Sequence, residues 1–139
     1  MESAGFEELA HTADWAIRVW AMHLADLFAE CARGMNALMG AQLAEGPRVS
    51  RIFEAEGLDL ESLLVAFLSE LVYCAEHEHA GFDHFNTQTH KRGNAQALFV
   101  EMEGAPLASV NKTIKAVTYH GLKIRQTARG YEVEIVFDV

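Results

Sequence analysis

An α+β fold is predicted, in two layers, with a mostly antiparallel or mixed β-sheet covered by two amphipathic helices. Two observations lead there. Two stretches carry apolar residues at helical spacing, and the second half of the chain is a succession of alternating segments separated by turn residues. A helix with one apolar stripe must cover another surface, and strands that follow one another closely pair mostly antiparallel, so each layer buries the other.

The elements follow in order. In residues 13–21, Trp15, Ile17 and Val19 alternate with Ala16, Arg18 and Trp20, the period of a strand with one buried face. Leu24, Leu27, Phe28, Cys31, Ala32, Met35, Leu38 and Met39 then form a helical stripe that stops at Gly40. Residues 41–47 read as a loop and 49–56 as a strand of imperfect alternation. Asp59 offers an N-cap to the second helix, in which Leu60, Leu63, Leu64, Phe67, Leu68, Leu71, Val72 and Ala75 repeat the same spacing. Residues 82–89, 95–103 and 113–119 lean towards strand. Residues 122–127 and 131–138 read as a closing hairpin, turned by Ala128-Arg129-Gly130 with Gly130 at positive φ.

At 139 residues, half of them hydrophobic, the chain suits a single domain over residues 1–139. A domain of this size buries on the order of 70% of the surface that its unfolded form exposes. Lys and Arg total 11 against 20 Asp and Glu, a formal net charge of -9, and no basic run could track a phosphate backbone unaided. Such a balance suits divalent cations and basic protein surfaces, and it also serves solubility. Cys31 and Cys74 fall on the apolar helix stripes and read as buried reduced thiols, with no CxxC to build a zinc or redox site. The first residues lack a basic and then an apolar stretch, and no apolar run approaches bilayer length. A cytoplasmic protein with no membrane partner is expected.

Candidate chemistry concentrates at the end of the last strand. Alternation places Val133, Ile135 and Phe137 on one face and Glu132, Glu134 and Asp138 on the other. The Asp138 side chain and the α-carboxylate of Val139 are one residue apart, and like charges that close favour a cation. Asp14, in His11-Thr12-Ala13-Asp14, is the obvious third oxygen ligand. On the residues alone, Asp14 can equally cap a turn and Asp138 can be a solvated strand end.

Three ordered blocks, His11-Thr12-Ala13-Asp14, Lys115-Ala116-Val117-Thr118-Tyr119-His120-Gly121-Leu122 and Phe137-Asp138-Val139, resemble the signatures of the archease family over nearly the whole chain. The resemblance implies a cofactor of the RtcB-type RNA ligase, the GTP-dependent enzyme that joins 3′-phosphate or 2′,3′-cyclic phosphate ends to 5′-hydroxyl ends in tRNA splicing and RNA repair. It implies that the small protein promotes guanylylation of the ligase and restores it for multiple turnovers. The protein would not be an enzyme itself and would meet RNA only through the ligase. The family's metal site, assigned to calcium, matches Asp14, Asp138 and Val139; magnesium or manganese is the alternative ion.

No catalytic residue is assigned. Lys115 could contact a phosphate and His120 could shuttle a proton, but a strand lysine is commonly solvated and His120-Gly121 can mark a bend. His11 is a candidate for the outer shell of the ion, although imidazole matches a hard cation poorly. Glu76, His77, Glu78, His79 and His84 mimic a transition-metal site, yet histidines two apart on a helix point to different sides. The other readings are a metal-dependent hydrolase using Asp14, Asp138 and His11, and a chaperone-like adaptor.

Overall fold

The computed structural model describes residues 3–9 and 15–139. Its elements are β1 (Ala4–Leu9), β2 (Trp15–Ala21), α1 (Leu24–Met39), β3 (Gln42–Leu43), β4 (Val49–Gly57), α2 (Leu60–His77), β5 (Ala80–Arg92), β6 (Ala95–Ser109), β7 (Ala116–Val117), β8 (Arg125–Thr127) and β9 (Gly130–Asp138). The class is α+β, and among the described residues the strands divide into two antiparallel sheets.

The first sheet runs β1-β2-β9, with β7 and β8 pairing β9 beyond it. The register of β2 on β9 runs from Trp15 opposite Phe137 to Ala21 opposite Tyr131. Its inner face carries Ile17, Val19, Val133, Ile135 and Phe137, all buried, as alternation requires. On the outer face Arg18 lies between its register partners Glu7 and Glu134, at 2.8 and 2.7 Å, a cross-strand charge ladder that matches this register.

In the second sheet β6 pairs β3, β4 and β5. Helix α1 packs on β1 and β2 and reaches β5; α2 packs on β4, β5 and β6 and touches β7. One continuous core therefore joins both helices to both sheets, with Phe28, Met35, Phe67, Leu68, Leu98, Val100 and Met102 at its centre. Phe67 meets Phe85 edge to face at 5.9 Å and Phe53 at 5.6 Å. Both helices fall where the periodicity puts them. α1 stops at Gly40 in the left-handed region (φ 63), and the Asp59 carboxylate accepts from the Ser62 N–H at 2.7 Å.

Three strand expectations need correction, and one strand was not expected. Residues 4–9, in which the apolar pattern is too weak to read as a strand, form β1, because Ala4 and Phe6 pack on the core while β2 supplies a complete ladder. The loop at 41–47 contains the short β3, drawn in by the long end of β6. Residues 113–119 keep only Ala116–Val117 as strand, and 122–127 keep only Arg125–Thr127. There the backbone has other partners: the Ile124 N–H donates to the Glu61 carboxylate at 2.8 Å, and the Leu122 N–H to the Tyr119 carbonyl at 3.1 Å. The β8-β9 turn is as expected, with Gly130 at φ 103.

Gly104 marks the tightest approach in the second sheet, since a Cβ there would lie 1.8 Å from the Gly81 carbonyl oxygen, beside the bulge between Phe82 and His84. Gly104→Ala should cost about 3 kcal/mol or more and lower Tm by roughly 10 °C in thermal circular dichroism. The Asp59 cap yields a pH-dependent expectation. Hydrogen bonds from Ser62 hold its folded pKa below the ordinary value of 3.8, so its stabilisation is present above that value and disappears as pH falls through the lower, folded one. Asp59→Ala should therefore lower Tm at pH 7, and the gap to the wild type should close as pH falls below the ordinary carboxylate range.

Candidate functional site

The end of β9 is held from two sides. Lys115 donates its backbone N–H to the Asp138 carbonyl at 2.8 Å, and Ala116 and Val117 are the register partners of Asp138 and Phe137. One step further, the Thr118 N–H and hydroxyl both donate to the Val136 carbonyl at 3.0 Å. The sequence block 115–118 thus lies along the strand end that carries Asp138, although twenty residues separate them in the chain.

On the other side of β9 Trp15 faces Phe137, and a cation–π clamp holds the indole: Lys112 Nζ stands 3.2 Å from the ring centroid. Lys112 is itself anchored, because the N–H groups of Asn111 and Lys112 both donate to the Met39 carbonyl at 2.9 and 3.0 Å, closing the end of α1. Ile114, between Lys112 and Lys115, is buried in the core. Sequence reading missed Lys112 and the placement of Trp15, and no local signal could have shown them, since a cation over a ring across 97 positions is a tertiary contact.

The three proposed ligands differ in what can be said of them. Asp14 and its neighbour His11 lie outside the described residues. Asp138 is exposed on the outer face, and its carboxylate has no hydrogen-bond or ion-pair partner among the described residues. Val139 is half-buried, with its side chain packed on the core. Among the described residues no three His, Cys, Asp or Glu side chains gather closely enough to hold an ion.

The histidine cluster is dispersed. His77 ends α2 and stacks on Tyr73, His79 takes a left-handed backbone (φ 53), and His84 lies on β5 opposite Glu103. Tyr119 and His120 are exposed in the turn that follows Thr118. Burial pushes the Cys31 thiol well above its ordinary pKa. Cys74 is also raised by burial, against the lowering effect of Arg51, whose guanidinium donates to its sulfur at 2.8 Å. Both thiols are buried in the core. Asp83 and Glu78 are held below the usual carboxylate range by hydrogen bonds from Arg48 and Arg51.

The model of the Archease protein family (MTH1598/TM1083) matches residues 6–139. The chain belongs to the archease family. Protein archease of Methanosarcina barkeri is 34% identical to it over the whole of both chains. That of Methanopyrus kandleri is 32% identical, covering 96% of this chain and 99% of its own. The archease-like protein of Drosophila melanogaster is 32% identical, covering 96% and 90%. Two solved structures share the archease fold at lower identity. The solution structure of a Methanobacterium thermoautotrophicum protein superposes with a TM-score of 0.76 at 22% identity, covering 97% of this chain and 99% of that one. An archease from Thermotoga maritima, described as a possible chaperone, superposes with a TM-score of 0.66 at 18% identity, covering 96% of each chain. No helix among the described residues is long and apolar enough to cross a membrane.

If the Lys112 clamp steadies the edge of the first sheet, Lys112→Met should lower unfolding stability by about 0.5–1 kcal/mol in urea titration, with a change in tryptophan emission from the freed Trp15.

Proposed function

We propose that this chain is an accessory activator of an RtcB-type RNA ligase and that it holds a divalent, calcium-type ion at Asp14, Asp138 and the α-carboxylate of Val139. Family membership over residues 6–139 is the observation that carries the reading. The local geometry supports the ligand set. Asp14 is bonded to Trp15 as Asp138 is bonded to Phe137, and Trp15 and Phe137 are register partners.

The donors suit the ion. Carboxylate oxygens are the ligands that hard cations prefer, and the Asp138 side chain is exposed with its backbone carbonyl already bound by Lys115. When bound, such an ion would supply charge neutralisation near a phosphoryl transfer, which is the step that forms the ligase's histidine–GMP bond from GTP. The chain's own part is to present an acidic edge in a fixed register to the ligase, which handles the RNA. Magnesium or manganese would be held by the same oxygen atoms.

Two other readings are weaker. A hydrolase needs an acid or base tuned towards neutral pH. Among the described residues the thiols and carboxylates that shift, Cys31 and Cys74 upward and Asp59, Glu78 and Asp83 downward, all move away from it, and Asp14 and His11 lie outside the described residues. A general chaperone needs contiguous apolar surface, whereas the exposed large apolar residues are scattered along the chain, Val49 and Ile52 on β4, Tyr73 on α2, and Met22, Leu58 and Tyr119 in connecting segments.

Asp138→Asn should weaken calcium binding about tenfold or more in calorimetry, while Tm stays near the wild-type value. Stimulation of ligase guanylylation should fall to that of the ligase alone. Residues appended after Val139 should weaken calcium binding as well. Full stimulation by an Asp14→Ala protein that no longer binds the ion would make the ion structural and refute its part in activation.

A further inference from the structure

Beside the strand end that carries Asp138, α2 and the segment leading into β7 form a recess of about 240 Å³ lined by Ser69, Tyr73, Glu76, His77 and Lys115 among others. Three different chemistries converge in it. The first is an aromatic platform. Tyr73 is 50% exposed and His77 is exposed, and their rings pack against each other one helical turn apart, with centroids 4.6 Å apart and an interplanar angle of 34°, so the stacked pair leaves aromatic surface open on α2. Bases stack on such rings whatever their identity.

The second is an available cation. Lys115 is exposed, its position is held by the bond from its N–H to the Asp138 carbonyl, and no carboxylate among the described residues lies at ion-pair distance from its ammonium. The segment that carries it is basic despite the chain's net charge of -9, since residues 105–131 contain Lys112, Lys115, Lys123, Arg125 and Arg129 and no Asp or Glu, and Glu76 is the carboxylate that lines the same recess. The third is Glu76, exposed and with no partner among the described residues. An ionised carboxylate only accepts hydrogen bonds, so it discriminates between bases. Guanine offers it two adjacent donors, N1–H and the 2-amino group, whereas adenine sets an acceptor nitrogen beside its single amino group.

We propose that this recess is a guanine-nucleotide subsite, with the base on the Tyr73–His77 platform, its N1–H and amino group on Glu76, and a phosphate on Lys115. The volume is below the roughly 300–1,000 Å³ of pockets that enclose a drug-sized ligand, which suits a base and one phosphate better than an entire triphosphate. The inference deepens the ligase-activator reading by naming a ligand on the same edge of the molecule, and its biological role rests on that reading. Nucleotide recognition itself does not depend on the ion.

The test is an amide NMR titration of the full chain with GMP, AMP, guanosine and a guanine-free single-stranded oligonucleotide ending in a 3′-phosphate. GMP should move the amides of residues 69–77 and 115–117 and bind about tenfold or more tightly than AMP. Tyr73→Ala should weaken GMP about tenfold. Glu76→Gln should shrink the preference over AMP, and Lys115→Met should weaken GMP while leaving guanosine unchanged. All three positions are exposed, and a preserved amide spectrum certifies the fold of each variant. Equal GMP and AMP affinities, shifts centred on other residues, or no shift with GMP would overturn the proposal. Stronger shifts at these amides with the oligonucleotide than with GMP would assign the recess to RNA ends and equally overturn it. Asp138→Asn should leave GMP binding intact, so a failure of calcium binding or ligase stimulation bears on the function proposed above and a failure of GMP binding bears on the subsite.

Discussion

Pairing between β2 and β9 is the constraint on which the rest of the molecule depends. It joins strands separated by more than a hundred residues, from Trp15 opposite Phe137 to Ala21 opposite Tyr131. Closing so long a loop costs entropy that grows only slowly with its length, and the apolar inner face of the pair offsets that cost. Once formed, the pair offers one edge to β1 and the other to β7 and β8, and its buried face is the floor beneath α1. A slip of one residue would turn Ile17, Val19, Ile135 and Phe137 to the solvent and break the Glu7–Arg18–Glu134 ladder, so register is specified on both faces.

The same register governs what the proposed ion site can be. It puts the residues flanking positions 14 and 138 opposite one another and leaves the Asp138 carboxylate outward while its neighbours Phe137 and Val136 are buried. The block 115–118 then closes the outer edge, so two family signatures distant in the chain lie side by side. The Lys112 clamp on Trp15 and the bonds from the same loop to Met39 tie this edge to α1. Side chains with apolar or cationic roles thereby hold the strand end, and the Asp138 carboxylate stays exposed, with no partner among the described residues.

Local pattern was most legible where one face of an element does all the packing. The stripes of α1 and α2 and the alternation of β2 and β9 were readable because burial follows a single period in each. Asp59, Gly40 and Gly130 were readable because a cap or a positive φ is a local requirement. β1 and β3 were not, since each is short and takes its strand conformation from a neighbour's unpaired edge. Residues 113–127 misled for the opposite reason. Their alternating apolar residues Ile114, Val117, Leu122 and Ile124 do face the core, but much of the backbone there bonds to side chains and turns instead of a ladder.

By itself the sequence determined the α+β class, the two helices with the caps at Gly40 and Asp59, the inward and outward faces of the first and last long strands, and the family to which the chain belongs. Each depends on residue type and spacing within one segment or one motif. Tertiary structure alone decided the division into two sheets, the edge strands, the Trp15–Lys112 clamp and the recess formed by Tyr73, His77, Glu76 and Lys115. Those features are contacts between segments far apart in the chain, and their energy exists only once long-range strand pairing has brought the segments together.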